Sequence, residues 1–213
     1  MDIGIKFPLT RLELADIGGP GLVRFPATFD EYWELLEEAE YTADFYQNEI
    51  IAMSYETDLH SDIVTECLHI LKKMYPRSNK RFKVHDPNRP IYAEGCEEDE
   101  TGVFNPDGSV VSQPPVYFEY RPGMNAETTP VVLFEVLSKN TRAYDLGTKL
   151  PCYKRMPSLR YILYIEIDKP SITVYERQDV NRWTDTEYTQ EGDVFFIDGQ
   201  PIAMKEVYLN LYF

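Results

Sequence analysis

The stretch most restrictive of fold is "PVVLFEVLS", residues 130–138. Pro130 can open a strand but not sit inside a paired one, and seven residues then run to Leu137 with a single polar side chain among them. A short, continuous apolar run rich in Val and Leu, bounded by a proline, reads as a strand that should be buried. The exception is Glu135. Alternate side chains share a face, so Val131, Leu133, Glu135 and Leu137 point one way and Val132, Phe134 and Val136 the other. A desolvated carboxylate without a partner is costly. Either the strand lies at an edge with Glu135 in water, or something inside the protein compensates the charge.

The segment that follows offers a partner. Asp145, Lys149 and Tyr153 recur every four residues over an expected helix, 143–155, and so share a face. The bland alternative is a surface Asp–Lys pair beside a solvated Tyr. Gly147 and Pro151 weaken this helix locally. A second acid comes from "FNPDGSVV" (104–111), where Asp107 is either a turn residue after Pro106 or a functional group at the mouth of a neighbouring strand. Two carboxylates on adjacent strands can share a divalent cation, and Mg²⁺ commonly uses only one or two, completing its shell with water and substrate phosphate. A carbonyl near Val136 could contribute.

Elsewhere the pattern alternates strands and helices. Thr28 and Glu31 make a capping box for a helix to about residue 40. "ADFYQNEIIAMS" (43–54) reads as a hairpin turning at Gln47-Asn48. Asp58 is expected to cap a helix from 59 to about 75, ended by Pro76. Strands are expected within 81–93, at 110–111, 116–118, 160–168, 171–177, 182–188 and 194–197, with a short helix near 204–210. The implied class is α/β or α+β with a mixed central sheet flanked by helices. The organisation expected is an N-terminal arm, 1–27, containing the loop "IGGPG", and a single domain over 28–213. Glu49 could be a third acid at the site or a hairpin-end charge in water. His60, near a helix start, either meets a phosphate or Glu49, or is a partly buried histidine with one hydrogen bond.

Charge sets the terms for partners. The net charge of −15 disfavours long-range attraction to nucleic acid or anionic membrane. Yet residues 25–71 contain no Lys or Arg, whereas 72–89 carry Lys72, Lys73, Arg77, Lys80, Arg81, Lys83 and Arg89 against Asp86 alone. A second basic stretch, 139–160, holds Lys139, Arg142, Lys149, Lys154, Arg155 and Arg160 against Asp145. If both lined one face, they would make an anion-binding surface. No segment approaches a membrane span. Met1–Gly4 has no basic start followed by an apolar run, so no secretory leader is expected. Cys67, Cys96 and Cys152 have no paired spacing; they fit a reducing cytoplasm and argue against a disulfide or zinc site.

The motifs "PDGSVV" and "PVVLFEVLSKNTRAYDLGTKLPCYKRMPSLRYILYIE" together resemble the Uma-type family of restriction endonucleases in the PD-(D/E)XK nuclease superfamily. The matching positions are Pro106-Asp107, Glu135-Val136-Leu137-Ser138, and Asp145, Lys149 and Tyr153. "NEIIAMS" and the helix of His60 match upstream, so the likeness spans about residues 28–177. The resemblance implies a restriction-endonuclease-like core and a metal-dependent endonuclease hydrolysing DNA phosphodiester bonds. Asp107 and Glu135 would ligate Mg²⁺ or Mn²⁺, with Asp107, Glu135 and Lys149 catalytic and Glu49, His60 and Tyr153 auxiliary. In many members of the superfamily the lysine stands two residues after the acid; here that position is Leu137, and Lys149 lies on the following helix. Gly108 and Ser109 depart from the usual β-branched residues and are expected to loosen the Asp107 strand. Such folds often act as dimers on duplex DNA, so a homodimer is kept in view, with 16 Tyr and 11 Phe as a source of apolar surface. The alternatives are an inactive nucleic-acid or protein interaction module on the same fold, or a hydrolase of small phosphate esters.

Overall fold

The 130–138 run forms the expected strand, and it lies inside a sheet and not at its edge. In the computed structural model, which describes residues 7–19, 21–53, 57–96, 100–209 and 211, β10 (Pro130–Leu137) is buried along its whole length. It pairs in parallel with β11 (Tyr161–Glu166) and antiparallel with β7 (Gly108–Ser112). β12 (Ile172–Asp179) and β13 (Arg182–Tyr188) extend one side and β4 (Phe82–His85) the other. The result is a six-stranded mixed sheet in the order β13-β12-β11-β10-β7-β4.

Each face of β10 meets a helix. Val132, Phe134 and Val136 pack with Ile63, Val64, Cys67 and Leu71 of α3 (Asp58–Met74). Leu133 and Leu137 pack with Tyr144, Leu150, Cys152 and Tyr153 of the helix that follows β10. Val131 joins the α3 side instead of the Leu133 side, because the pairing with β7 is bulged between Pro130 and Val132. A small hairpin, β14 (Val194–Ile197) and β15 (Gln200–Ala203), and α6 (Met204–Val207) complete the α3 side through Phe195, Ile197, Ile202 and Val207.

A second, seven-stranded sheet runs β1-β3-β2-β6-β5-β9-β8. Its members are β1 (Leu22–Pro26), β2 (Ala43–Tyr46), β3 (Glu49–Met53), β5 (Ile91–Ala93), β6 (Gly102–Phe104), β8 (Tyr117–Arg121) and β9 (Met124–Glu127). The β2–β3 hairpin turns where expected, with Gln47 and Asn48 both at positive φ (51° and 57°). Tyr46, Ile51, Ile91 and Phe104 of this sheet pack on the same helix as Leu133 and Leu137, so that helix lies between the two sheets. On the far side, α1 (Arg11–Gly18) and α2 (Phe29–Glu38) supply Leu14, Tyr32 and Trp33 to a third cluster. Thr28 and Glu31 form the expected capping box.

Several expectations are corrected. The α3 cap is Thr57, whose hydroxyl accepts from the His60 N–H, and Asp58 is the first helical residue. β9 and β15 were not expected: "MNAE" lacks an apolar alternation, and "QPIA" contains a proline that an outer strand can tolerate. Cys96 and Cys152 form a disulfide, joining the end of the β5 segment to the helix after β10. Their separation of 56 residues gave no spacing signal, since connectivity follows from packing and not from local pattern. Cys67 is the free, buried cysteine.

Candidate active site

The site is assembled where β10 ends and its helix begins. Ser138 shapes the turn: its Oγ accepts from the Thr141 N–H at 3.2 Å, and its carbonyl accepts from the Arg142 N–H at 2.9 Å. The chain then runs through α4 (Arg142–Tyr144), a π-helical turn (Asp145–Lys149) and α5 (Leu150–Arg155) as one continuous helix. The expected weakness at Gly147 and Pro151 thus appears as a local widening. A proline lacks an N–H and crowds the carbonyl four residues back, here that of Gly147. The π turn answers this with a bond spanning five residues, from the Leu150 N–H to the Asp145 carbonyl. Tyr164 Oη of β11 donates to the same carbonyl at 2.9 Å and pins the widened turn to the sheet.

This helix returns across its own strand and carries Lys149 and Tyr153 onto Glu135. Glu135 Oε1 accepts from Tyr153 Oη at 2.7 Å and from Lys149 Nζ at 3.1 Å. Asp107 arrives from β7, whose register sets Gly108 opposite Phe134 and so brings Asp107 level with Glu135. The two acids are tied through the backbone: the Asp107 N–H donates to Glu135 Oε2 at 3.3 Å, and the Val136 N–H to Asp107 Oδ2 at 2.7 Å. His60 Nε2, from the first turn of α3, lies 3.2 Å from Asp107 Oδ2. The strand is not loosened by Gly108. A Cβ there would lie 2.2 Å from Phe134 Cε1 and 3.1 Å from Leu68 Cδ2, so glycine is what lets β7 lie against the Phe134 ring.

Two further carboxylates close around the ammonium. Lys149 Nζ lies 3.3 Å from Asp145 Oδ1 and 3.4 Å from Asp44 Oδ2. Asp44, on β2, also accepts from Tyr144 Oη at 3.1 Å and from the Asn105 N–H at 2.6 Å. Asp44, Asn105 and Tyr144 were not among the residues expected at the site. The signal for Asp44 was available: like Glu135, it is an acid inside an apolar strand. Glu49 is not in this group. It pairs with Arg24 at 2.8 Å, at the end of the β2–β3 hairpin.

Glu135, Asp145 and Lys149 are all buried, at 3%, 3% and 6% exposure. Burial pushes the Glu135 carboxyl well above its ordinary range; Lys149 opposes the shift, and Asp145 and Asp107 add to it. Burial likewise raises Asp145 against the pull of Lys149. For Lys149, burial alone would favour the neutral amine, but Asp44, Glu135 and Asp145 outweigh it and hold the ammonium above its usual range. The cluster therefore holds four acids against one permanent cation and one histidine. Its cleft of about 90 Å³ is also lined by Tyr41, Thr141 and Tyr144, and by Arg11 and Leu22 near the N-terminus. Among the described residues, no group of three or more His, Cys, Asp or Glu side chains is set to enclose a metal ion by itself.

The basic stretches are divided. α3, which leads into the first, and the helix carrying most of the second pack on opposite faces of the six-stranded sheet. Most of the second stretch is already engaged. Arg142 pairs with Glu166, Arg160 with Asp198, Arg155 bonds the Gly95 carbonyl, Lys154 lies over the Tyr175 ring, and Lys149 is inside the site. In the first, Arg89 pairs with Glu127.

A fold with helices on both faces of a mixed sheet, and two acids and a lysine gathered at the end of its central strand, is that of the restriction-endonuclease-like proteins. Residues 29–205 match the Uma2 family, described as "Putative restriction endonuclease", and the chain belongs to that family. It is 26% identical over 191 residues to the uncharacterized Synechocystis sp. protein slr1290, covering 86% of this chain and 92% of that one. With sll1609 of the same organism it shares 23% identity over 167 residues, covering 78% and 89%. A crystal structure titled as a putative nuclease belonging to DUF820, from Anabaena variabilis, superposes with a TM-score of 0.61 at 15% identity. It covers 83% of this chain and 97% of that one, and at that identity it speaks for the fold. Among the described residues no helix is long and apolar enough to cross a membrane.

Proposed function

We propose that the protein is a divalent-metal-dependent endonuclease that hydrolyses DNA phosphodiester bonds at the Asp107–Glu135–Lys149 cluster. The observation that carries this reading is Lys149 Nζ held 3.1 Å from Glu135, whose other oxygen meets the backbone of Asp107. The donor set fits Mg²⁺ or Mn²⁺: hard carboxylate oxygens, a surplus of negative charge, and two acids, Asp107 and Glu135, set side by side through the backbone. That suits an ion that keeps much of its water and takes one or two carboxylates. Asp107 and Glu135 would hold it, and it would supply Lewis acidity and a more acidic bound water.

The chain's own groups divide the remaining work. Tyr153 and Lys149 fix the Glu135 carboxylate, while His60 and the Val136 N–H fix Asp107. Asp44 and Asp145 hold Lys149 in place and keep it protonated. An ammonium kept protonated is suited to meeting charge that develops on a phosphoryl oxygen, and not to taking a proton from water at neutral pH. The test is nicking of supercoiled plasmid in Mg²⁺ or Mn²⁺ by the wild type and Glu135→Ala. Cutting by the wild type alone supports the reading; equal cutting, or none by either, removes it. The engagement of most of the 139–160 basic stretch within the fold favours a second reading, an inactive nucleic-acid or protein interaction module. It would gain from a wild type that binds a partner and cuts nothing.

A further inference from the structure

We propose that Arg11 is a substrate-phosphate-binding residue at the mouth of the site, taking a phosphodiester oxygen next to the bond being cut. The assignment rests on the nuclease reading above. The cleft holds four acids, and the one lysine inside is shared among three of them. An approaching phosphodiester therefore needs a cation that is not already committed. Among the basic side chains lining the cleft, His60 faces Asp107 and Lys149 is enclosed; Arg11 is exposed and has no carboxylate partner among the described residues.

Its position in the helix points the same way. Arg11 is the first residue of α1, behind the Thr10–Glu13 capping box. A helix's positive end disfavours a cation there, so the arginine is not placed to stabilise α1. A second residue of the N-terminal region stands at this opening. Leu22 of β1 lines it, and two residues on Arg24 lies over the Tyr144 ring, 5.4 Å from its centroid, while paired with Glu49. Arg24 is thus tied down and Arg11 is free. A guanidinium fork suits phosphate, presenting parallel donors to two oxygens.

The experiment is fluorescence anisotropy with a labelled DNA duplex over a salt series, in EDTA and in Ca²⁺, for the wild type, Arg11→Ala, Arg11→Lys and Arg182→Ala. Arg182 is exposed on β13, at the far edge of the six-stranded sheet, and serves as the control. Arg11→Ala is expected to weaken binding about 10-fold at low salt and to lower the log–log salt slope by about 0.9, the signature of one lost phosphate contact. Arg11→Lys should keep the slope. The thermal midpoint of Arg11→Ala should not fall. An unchanged slope and affinity for Arg11→Ala, a loss equalled by Arg182→Ala, or no binding by the wild type in either condition overturns the assignment. Cleavage in Mn²⁺, measured separately, distinguishes the two ideas. Binding that depends on Arg11 without any cleavage sinks the nuclease reading alone; cleavage with kcat/KM unaffected by Arg11→Ala sinks the Arg11 assignment alone.

Discussion

Glu135 is tolerated in an apolar strand because Tyr153, Lys149 and the backbone of Asp107 take up its oxygens. The same crowding makes Lys149 the residue whose loss should hurt most. Lys149→Met would leave Asp44, Glu135 and Asp145 facing one another with no cation between them. Removing one partner of a buried ionic group typically costs about 3–5 kcal/mol, and urea unfolding at pH 8 should show a loss of that order. The deficit should shrink at lower pH, as the carboxyls take up protons and the repulsion goes. The sign for Glu135 itself follows from its raised pKa. The native state holds a proton that the unfolded chain releases above the ordinary value of 4.5. Its contribution to stability is therefore present at low pH and is lost as pH rises through the raised native value. Lys149 acts at the other end: its raised pKa contributes stability that is complete below the ordinary lysine value of 10.5 and is lost only as pH climbs through the higher native one.

At the scale of elements, the close approach of β7 to β10 decides whether Asp107 reaches Glu135. Gly108→Ala would drive a methyl into the buried Phe134 ring and against Leu68. Overpacking of this kind costs about 1–3 kcal/mol, so denaturant unfolding should register that loss, and Mn²⁺ affinity should fall with it as Asp107 is displaced. The π turn offers a gentler test. Tyr164→Phe removes one hydrogen bond to the Asp145 carbonyl, worth about 1 kcal/mol. It is expected to lower nicking activity more than thermal stability, because that bond anchors the turn carrying Lys149. Both elements also show what the chain disclosed beforehand. β10 could be read from its apolar run, and the face of Glu135 from simple alternation, because burial on both sides leaves a local pattern. The partners Asp145, Lys149 and Tyr153 could be read from their spacing. What Gly108 does could not, because its reason is a ring 26 positions away in sequence. Asn105 and the Cys96–Cys152 link were hidden for the same reason: their partners lie far away along the chain, and no local periodicity records such a meeting.

Across the whole molecule, the two sheets touch through polar side chains as well as through the shared helix. His85 of β4 lies 3.4 Å from the buried Glu127 of β9, which Arg89 also holds. Burial, with Lys83 and Arg89 nearby, lowers His85 to about 4. The folded chain therefore keeps it neutral while the unfolded chain gains a proton below the usual value of 6.5. Stability should fall as pH drops from 6.5 toward 4, and His85→Gln should flatten that part of a melting-temperature profile. The acidic balance of −15 makes a cation the natural complement of the central cluster. Binding should release a proton, since a carboxyl pushed up by crowding must give it up, and affinity should rise with pH through that titration. The most direct measurement is a titration of Mn²⁺ followed by electron paramagnetic resonance of the free ion, with wild type, Asp107→Asn and Glu135→Gln. The account predicts saturable binding by the wild type, tighter at higher pH, and its loss in both variants. Wild-type protein that leaves the free-ion signal unchanged, or variants that bind as the wild type does, would contradict it.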